Sequence, residues 1–116
     1  MIYTWYPAPI PIAELNENIM REVEVAGKRI GLLKTANAIY AFAATCPHSG
    51  AALCEGWLDA RGRIVCPLHK YKFDPKNGHN TTGEGYKLRT YMVDVREDVI
   101  FIGLIADSYD ESTTLP

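Results

Sequence analysis

The chain has 116 residues, enough for one domain with a core of its own and too few for a second of similar size. Hydrophobic residues make up 47% and charged residues 22%, which argues against disorder, and a formal net charge of −2 argues against a general nucleic-acid binder. No stretch approaches the ~20 apolar residues of a membrane helix, and the opening Met1 to Pro7 lacks a basic region followed by an apolar core, so a cytoplasmic protein with no membrane partner is expected.

Taken in chain order, Pro7 to Pro11 holds three prolines in five positions and forces an extended entry segment. Ile12 to Ile19 spaces Ile12, Leu15 and Ile19 to share a face, which predicts a short helical turn. Strand patterns follow at Glu22 to Val25, Arg29 to Lys34 and Ile39 to Ala43, separated by turns at Ala26-Gly27-Lys28 and Thr35 to Ala38. Ile64-Val65 and Tyr71 to Phe73 read as further strands. Tyr91 to Val95 and Val99 to Ile102 flank Arg96-Glu97-Asp98 as a last hairpin. The polar tail from about 107 to 116 is expected to fray. Strands without helical periods between them predict an antiparallel all-β sandwich or small barrel, and one domain over 1–116.

Two segments break this rhythm: Cys46-Pro47-His48-Ser49-Gly50 and Cys66-Pro67-Leu68-His69-Lys70-Tyr71. Each offers one thiolate and one imidazole, and each places a proline directly after its cysteine. Two such loops face to face would supply four ligands. That set suits a zinc ion or a [2Fe–2S] cluster in which two His replace two Cys on one iron. Finger-type zinc sites usually pair Cys with Cys and His with His, whereas here each loop mixes the two, which favours the cluster. Three cysteines, an odd count, do not suit a secreted disulfide scaffold and leave thiols for a metal.

On these two loops, with looser similarity from about Ile12 to Leu104, the chain resembles the Rieske-type [2Fe–2S] proteins. The resemblance implies a Rieske-type β-sandwich or barrel with a small cluster-binding subdomain at about 44–75. It implies one [2Fe–2S] cluster per chain, with Cys46 and Cys66 on the inner iron and His48 and His69 on the outer. It also implies a single-electron carrier rather than an enzyme, working between a reductase and a terminal oxygenase. An alternative within the family is the small subunit of an NADH-dependent nitrite reductase, with the large subunit as partner. A zinc-stabilised binding module is the alternative outside it.

The chain departs from high-potential members of that family. Their loop disulfide has Ala51 and Leu68 in its place here, and their cluster-bonding Ser and Tyr are replaced by Tyr71 and Phe73. Missing donors to sulfur imply the low end of a band of about −150 to +300 mV. Tyr71 is expected to shield the centre with its ring. Lys70 stands where the family usually has Gly and reads as a solvated lysine, with docking of an acidic partner as the alternative; Lys70 and Lys72 are expected to set the salt sensitivity of the encounter with a partner. Thr82-Gly83-Glu84-Gly85 is expected to form a third loop covering the cluster. Cys54 reads as a buried structural thiol, His79 as a surface residue, and Trp5 and Trp57 as core or edge packing.

Overall fold

The computed structural model describes residues 2–105, so the predicted fraying tail at about 107–116 lies outside the described residues. Among the described residues, nine strands form two antiparallel sheets. The larger has the order β1 (Tyr3–Pro11), β9 (Val99–Ile105), β8 (Thr90–Arg96), β4 (Ile39–Ala43), β3 (Lys28–Lys34), β2 (Arg21–Val25). Its two ends, β1 and β2, come back against each other, so the sheet curls into a nearly closed barrel. The smaller sheet, β5 (Trp57–Leu58), β6 (Ile64–Val65) and β7 (Lys72–Phe73), is inserted between β4 and β8.

The entry segment does more than extend. Tyr3 to Pro7 pair in register with Ile105 to Phe101, and the ladder slips between Pro7 and Pro11. Prolines cannot donate to a ladder, so this strand sits at the end of the sheet order and shifts register where they cluster. The expected helical turn is reduced to a single 3-10 turn at Ile12–Glu14. Leu15 is buried, but Ile19 is 59% exposed, so the three residues do not share a face. The reason is local: Asn18 takes a left-handed φ of 64° and its N–H bonds Lys34 O at 2.7 Å, which unwinds the segment onto β3.

Two apolar cores follow from the two sheets. One fills the barrel with Leu15, Val23, Val25, Ile30, Leu32, Ala41, Ile100, Ile102 and Leu104. The other lies between barrel and small sheet and contains Leu33, Phe42, Leu53, Ile64, Phe73 and Leu88, together with Cys46 and Cys66. This second core positions the site, because it anchors the first residue of each metal-pattern loop in close-packed surroundings. Phe73 is fully buried within it.

Candidate metal centre

Both candidate loops leave the second core, turn at the protein tip and return, on a common backbone frame. Cys46 N–H bonds Ala51 O at 2.8 Å, and Gly50 N–H bonds Cys46 O at 2.8 Å. Twenty residues on, Cys66 N–H bonds Tyr71 O at 2.9 Å, and Lys70 N–H bonds Cys66 O at 3.0 Å. The corner residue is left-handed in each, Gly50 at φ 76° and Lys70 at φ 62°. Lys70 therefore keeps the loop's shape in a region that disfavours side chains, without the glycine that stands at the corner of the first loop. The same frame recurs a third time over Asp74 to His79. There Gly78 N–H bonds Asp74 O at 2.7 Å, and Asp74 N–H bonds His79 O at 2.9 Å. Again a proline follows the first residue, but Asp, Lys and Asn occupy the positions of the ligands, so this copy carries no soft donor.

The frame sorts the four candidate residues by depth. Cys46 and Cys66 are buried at 3% and 0% exposure, whereas His48 is half-buried and His69 exposed. Burial alone would push the Cys66 thiol up. The Leu68 and His69 N–H groups outweigh it, with the Ser49 hydroxyl and the neighbouring Cys46, and hold Cys66 below its ordinary value. Above the sulfurs the two imidazoles face each other, Nδ1 to Nδ1, at 3.5 Å, with ring centroids 4.9 Å apart. Two sulfurs inside and two ring nitrogens outside is a donor set in pairs. Among the described residues no three His, Cys, Asp or Glu side chains are grouped to hold a single metal ion.

Ser49 is a contributor that reading the sequence passed over. Its Oγ lies 3.8 Å from Cys66 Sγ and accepts the Ala51 N–H at 3.2 Å. When Cys66 is a thiolate, only the hydroxyl can donate in that pair, so the first loop gives the second loop's sulfur a hydrogen bond. Phe73 supplies no donor, but Ser49 restores one from the opposite loop. Ser49→Ala is expected to lower the reduction potential of the loaded protein by roughly 20–60 mV, the one-electron equivalent of a net hydrogen bond of ~0.5–1.5 kcal/mol. Spectroelectrochemical titration checks it, and an unchanged or higher potential would remove Ser49 from this role.

The remaining expected residues fall into place around the tip. The Tyr71 ring lies against His48 with centroids 4.2 Å apart. Lys72 is not free to meet a partner: its Nζ is 3.2 Å from Asp59 Oδ2, which also receives Arg63 Nε at 3.1 Å. Asp59 in turn accepts the Arg61 and Arg63 N–H groups at 2.9 Å each, closing the turn between β5 and β6. Although desolvation works against the charged form, these donors hold the Asp59 carboxyl well below the usual carboxylate range. Lys70, by contrast, is exposed. Cys54 is half-buried rather than buried and packs against the second core. Burial, reinforced by Glu22 and opposed by Arg29, pushes its thiol up to about 12, which keeps it protonated and unreactive. His79 is exposed, and Trp57, at 47% exposure, is an edge residue.

A family model for the Rieske [2Fe–2S] domain matches residues 4–92. The ferredoxin component of a naphthalene 1,2-dioxygenase system from Pseudomonas aeruginosa is 30% identical over 105 residues, covering 90% of this chain and 99% of that protein. Among solved structures, a ferredoxin in complex with the reduced oxygenase of carbazole 1,9a-dioxygenase is 26% identical, with a TM-score of 0.71 over 79% of this chain and 95% of that one. A structure described as an NADH-dependent nitrite reductase small subunit from Mycobacterium tuberculosis has a TM-score of 0.82, covering 92% of this chain and 100% of its own. At 20% identity that likeness concerns the fold alone.

Proposed function

The chain belongs to the Rieske [2Fe–2S] family, and from that premise we propose that Cys46, His48, Cys66 and His69 hold its cluster and that residues 1–116 are a single domain with its cluster-binding part at about 44–75. The protein binds a [2Fe–2S] cluster and carries single electrons between redox partners. The observation supporting the ligand assignment is the pairing of donors, with two buried sulfurs beneath two imidazoles whose Nδ1 atoms are 3.5 Å apart. When bound, such a cluster accepts and releases one electron at a potential raised above all-thiolate clusters, because two neutral imidazoles replace two thiolates. The residues of the chain bind and tune it. The loop amides and Ser49 stabilise negative charge at Cys66, the second core keeps water from the sulfurs, and the half-buried His48 and exposed His69 bring the outer edge to the surface.

With all four donors committed to the cluster, no position is left for substrate, which supports a carrier rather than an enzyme acting alone. The partners are a reductase on one side and a terminal oxygenase on the other. The relative that is similar along nearly its whole length is a dioxygenase ferredoxin component, whereas the nitrite reductase likeness is one of fold. Family membership replaces the zinc-module alternative. Among the described residues no helix is long and apolar enough to cross a membrane. We read the working compartment as the cytoplasm, where thiols stay reduced. Docking uses the tip, where Leu68 is 57% exposed beside His69 and Lys70, through the small transient interface usual for electron transfer.

Anaerobically purified protein, reduced with dithionite, is expected to give an electron paramagnetic resonance signal with an average g below that of an all-thiolate cluster, and to take up one electron per chain. A colourless protein that binds no iron after reconstitution would overturn this reading.

A further inference from the structure

His48 and His69 are not equivalent at the tip. His69 is exposed, whereas His48 is flanked by two tyrosines from different parts of the chain. Tyr71 covers it with centroids 4.2 Å apart, and Tyr86 meets it edge-on at 5.3 Å, with the two tyrosine rings 5.9 Å apart. Tyr86 comes from the segment after Gly78, which belongs to neither ligand loop. We propose that Tyr86 caps the His48 side of the metal centre, and that Asn80 is the positioning residue that holds it there.

Asn80 sits at the stem of the segment carrying Tyr86. The stem is fixed to β7 by the Phe73–Asn80 bridge and by Thr81 N–H on Lys72 O at 2.8 Å, and it is closed by the bridge between His79 and Lys87. From there the Asn80 side chain spans the loop. The two hydrogens of its Nδ2 are shared among Lys72 O at 3.1 Å, Thr82 Oγ1 at 3.0 Å and Glu84 Oε1 at 2.9 Å, while its Oδ1 accepts the N–H groups of Glu84 and, at 3.0 Å, Gly85. Thr82 adds a hydrogen bond to the Glu84 carboxylate, so the three polar side chains act as one clip. The loop needs such a clip. Gly83 and Gly85 both have positive φ, at 88° and 85°, with open space where a Cβ would stand, so packing does not hold this backbone. Lys72, which the clip grips, directly follows Tyr71. One side chain therefore ties the segment bearing Tyr86 to the segment bearing Tyr71 and brings the two rings onto His48. The expected third loop is present, and its contact with the site is Tyr86, four residues beyond its first residue, Thr82.

The physical consequence is local exclusion of water. A reduced centre carries one more negative charge than an oxidised one, and water stabilises that charge. Opening the cap therefore raises the potential and admits chelators to the outer edge.

This inference rests on His48 being a ligand, and the test separates the two. Full-length wild type, Tyr86→Ala, Tyr86→Phe and Asn80→Ala are purified anaerobically and reconstituted with iron and sulfide. A wild type without a Rieske spectrum would sink the functional reading itself, before the cap is at issue. The loaded proteins are then compared for bleaching in air with EDTA and for midpoint potential. Tyr86→Ala and Asn80→Ala are expected to bleach about threefold to tenfold faster, the factor by which an aromatic contact of this kind shifts a local opening, and to have a raised potential. Tyr86→Phe, which keeps the ring, is expected to match wild type in both. Wild-type behaviour of Tyr86→Ala, or alanine-like behaviour of Tyr86→Phe, would overturn the cap. Wild-type behaviour of Asn80→Ala beside an altered Tyr86→Ala would overturn the positioning role. If Asn80→Ala fails to fold, Asn80→Asp, which keeps an oxygen for the two amides and loses the donated bonds, gives the same comparison by bleaching rate.

Discussion

His48→Ala and His69→Ala are each expected to abolish the mixed nitrogen–sulfur spectrum, the largest functional effect a single substitution should have in this protein. The two rings approach through their Nδ1 atoms at 3.5 Å and come from different loops, so neither can take over the other's place. Alanine leaves the outer metal short of a donor at the protein surface, where water competes. Cysteine at either position is the informative companion. It restores a donor but adds a negative charge, so a loaded variant should move toward the potential of all-thiolate clusters, a fall of roughly 100 mV or more within a full gap of about 250 mV. Electron paramagnetic resonance and redox titration read both outcomes. A native spectrum in either alanine variant would falsify the ligand assignment.

Gly56→Ala is expected to be strongly damaging although it touches none of the four proposed ligands. Gly56 follows the short 3-10 turn Leu53–Glu55 and precedes β5, and a Cβ there would stand 1.9 Å from Val65 O and 3.2 Å from Leu53 O. Those neighbours are backbone, which cannot swing aside as a flexible side chain could. Val65 is paired with Trp57 and Lys72 and is the residue before Cys66, so any shift that relieves the clash displaces the second ligand loop. The expected cost is about 3 kcal/mol or more, seen as a melting temperature lower by roughly 10–20 °C. The loaded variant should also bind iron less firmly. Gly27→Ala is the control for a glycine with open space: its φ is positive, at 79°, where that of Gly56 is −83°, so it carries a backbone cost of its own, but a Cβ there meets nothing within 4 Å, and it lies in the β2–β3 turn. A Gly56→Ala protein that melts no lower than this control would show that the backbone at this crossing has room to give.

The proposed docking face carries less free charge than the sequence suggests. Lys70 and Lys72 are two residues apart, yet one projects from an exposed corner and the other is bound to Asp59 together with Arg63. Charge written along a chain does not tell which cations are already neutralised. That depends on the turn between β5 and β6, which brings Asp59 beneath β7. β5 shows the same limit. Trp57-Leu58 is a two-residue strand, too short for any alternating pattern, and it exists because Ile64-Val65 offers it a partner.

The sequence by itself determined the family, most of the barrel and the pattern from which the four ligands are proposed. Cys-x-His and Cys-x-x-His carry their chemistry in residue type and spacing, and β2, β3, β4 and β8 alternate or run apolar over five to seven residues. Only the tertiary structure decided what surrounds the centre. Ser49 reaches a sulfur on the opposite loop, Tyr86 reaches His48 from beyond Gly78, and the proline-rich entry becomes a strand because β9 is there to pair with it. The physical reason is range. A ligand loop is a local object written within six residues, whereas a contact between segments tens of residues apart depends on how the barrel and the small sheet pack across their shared core.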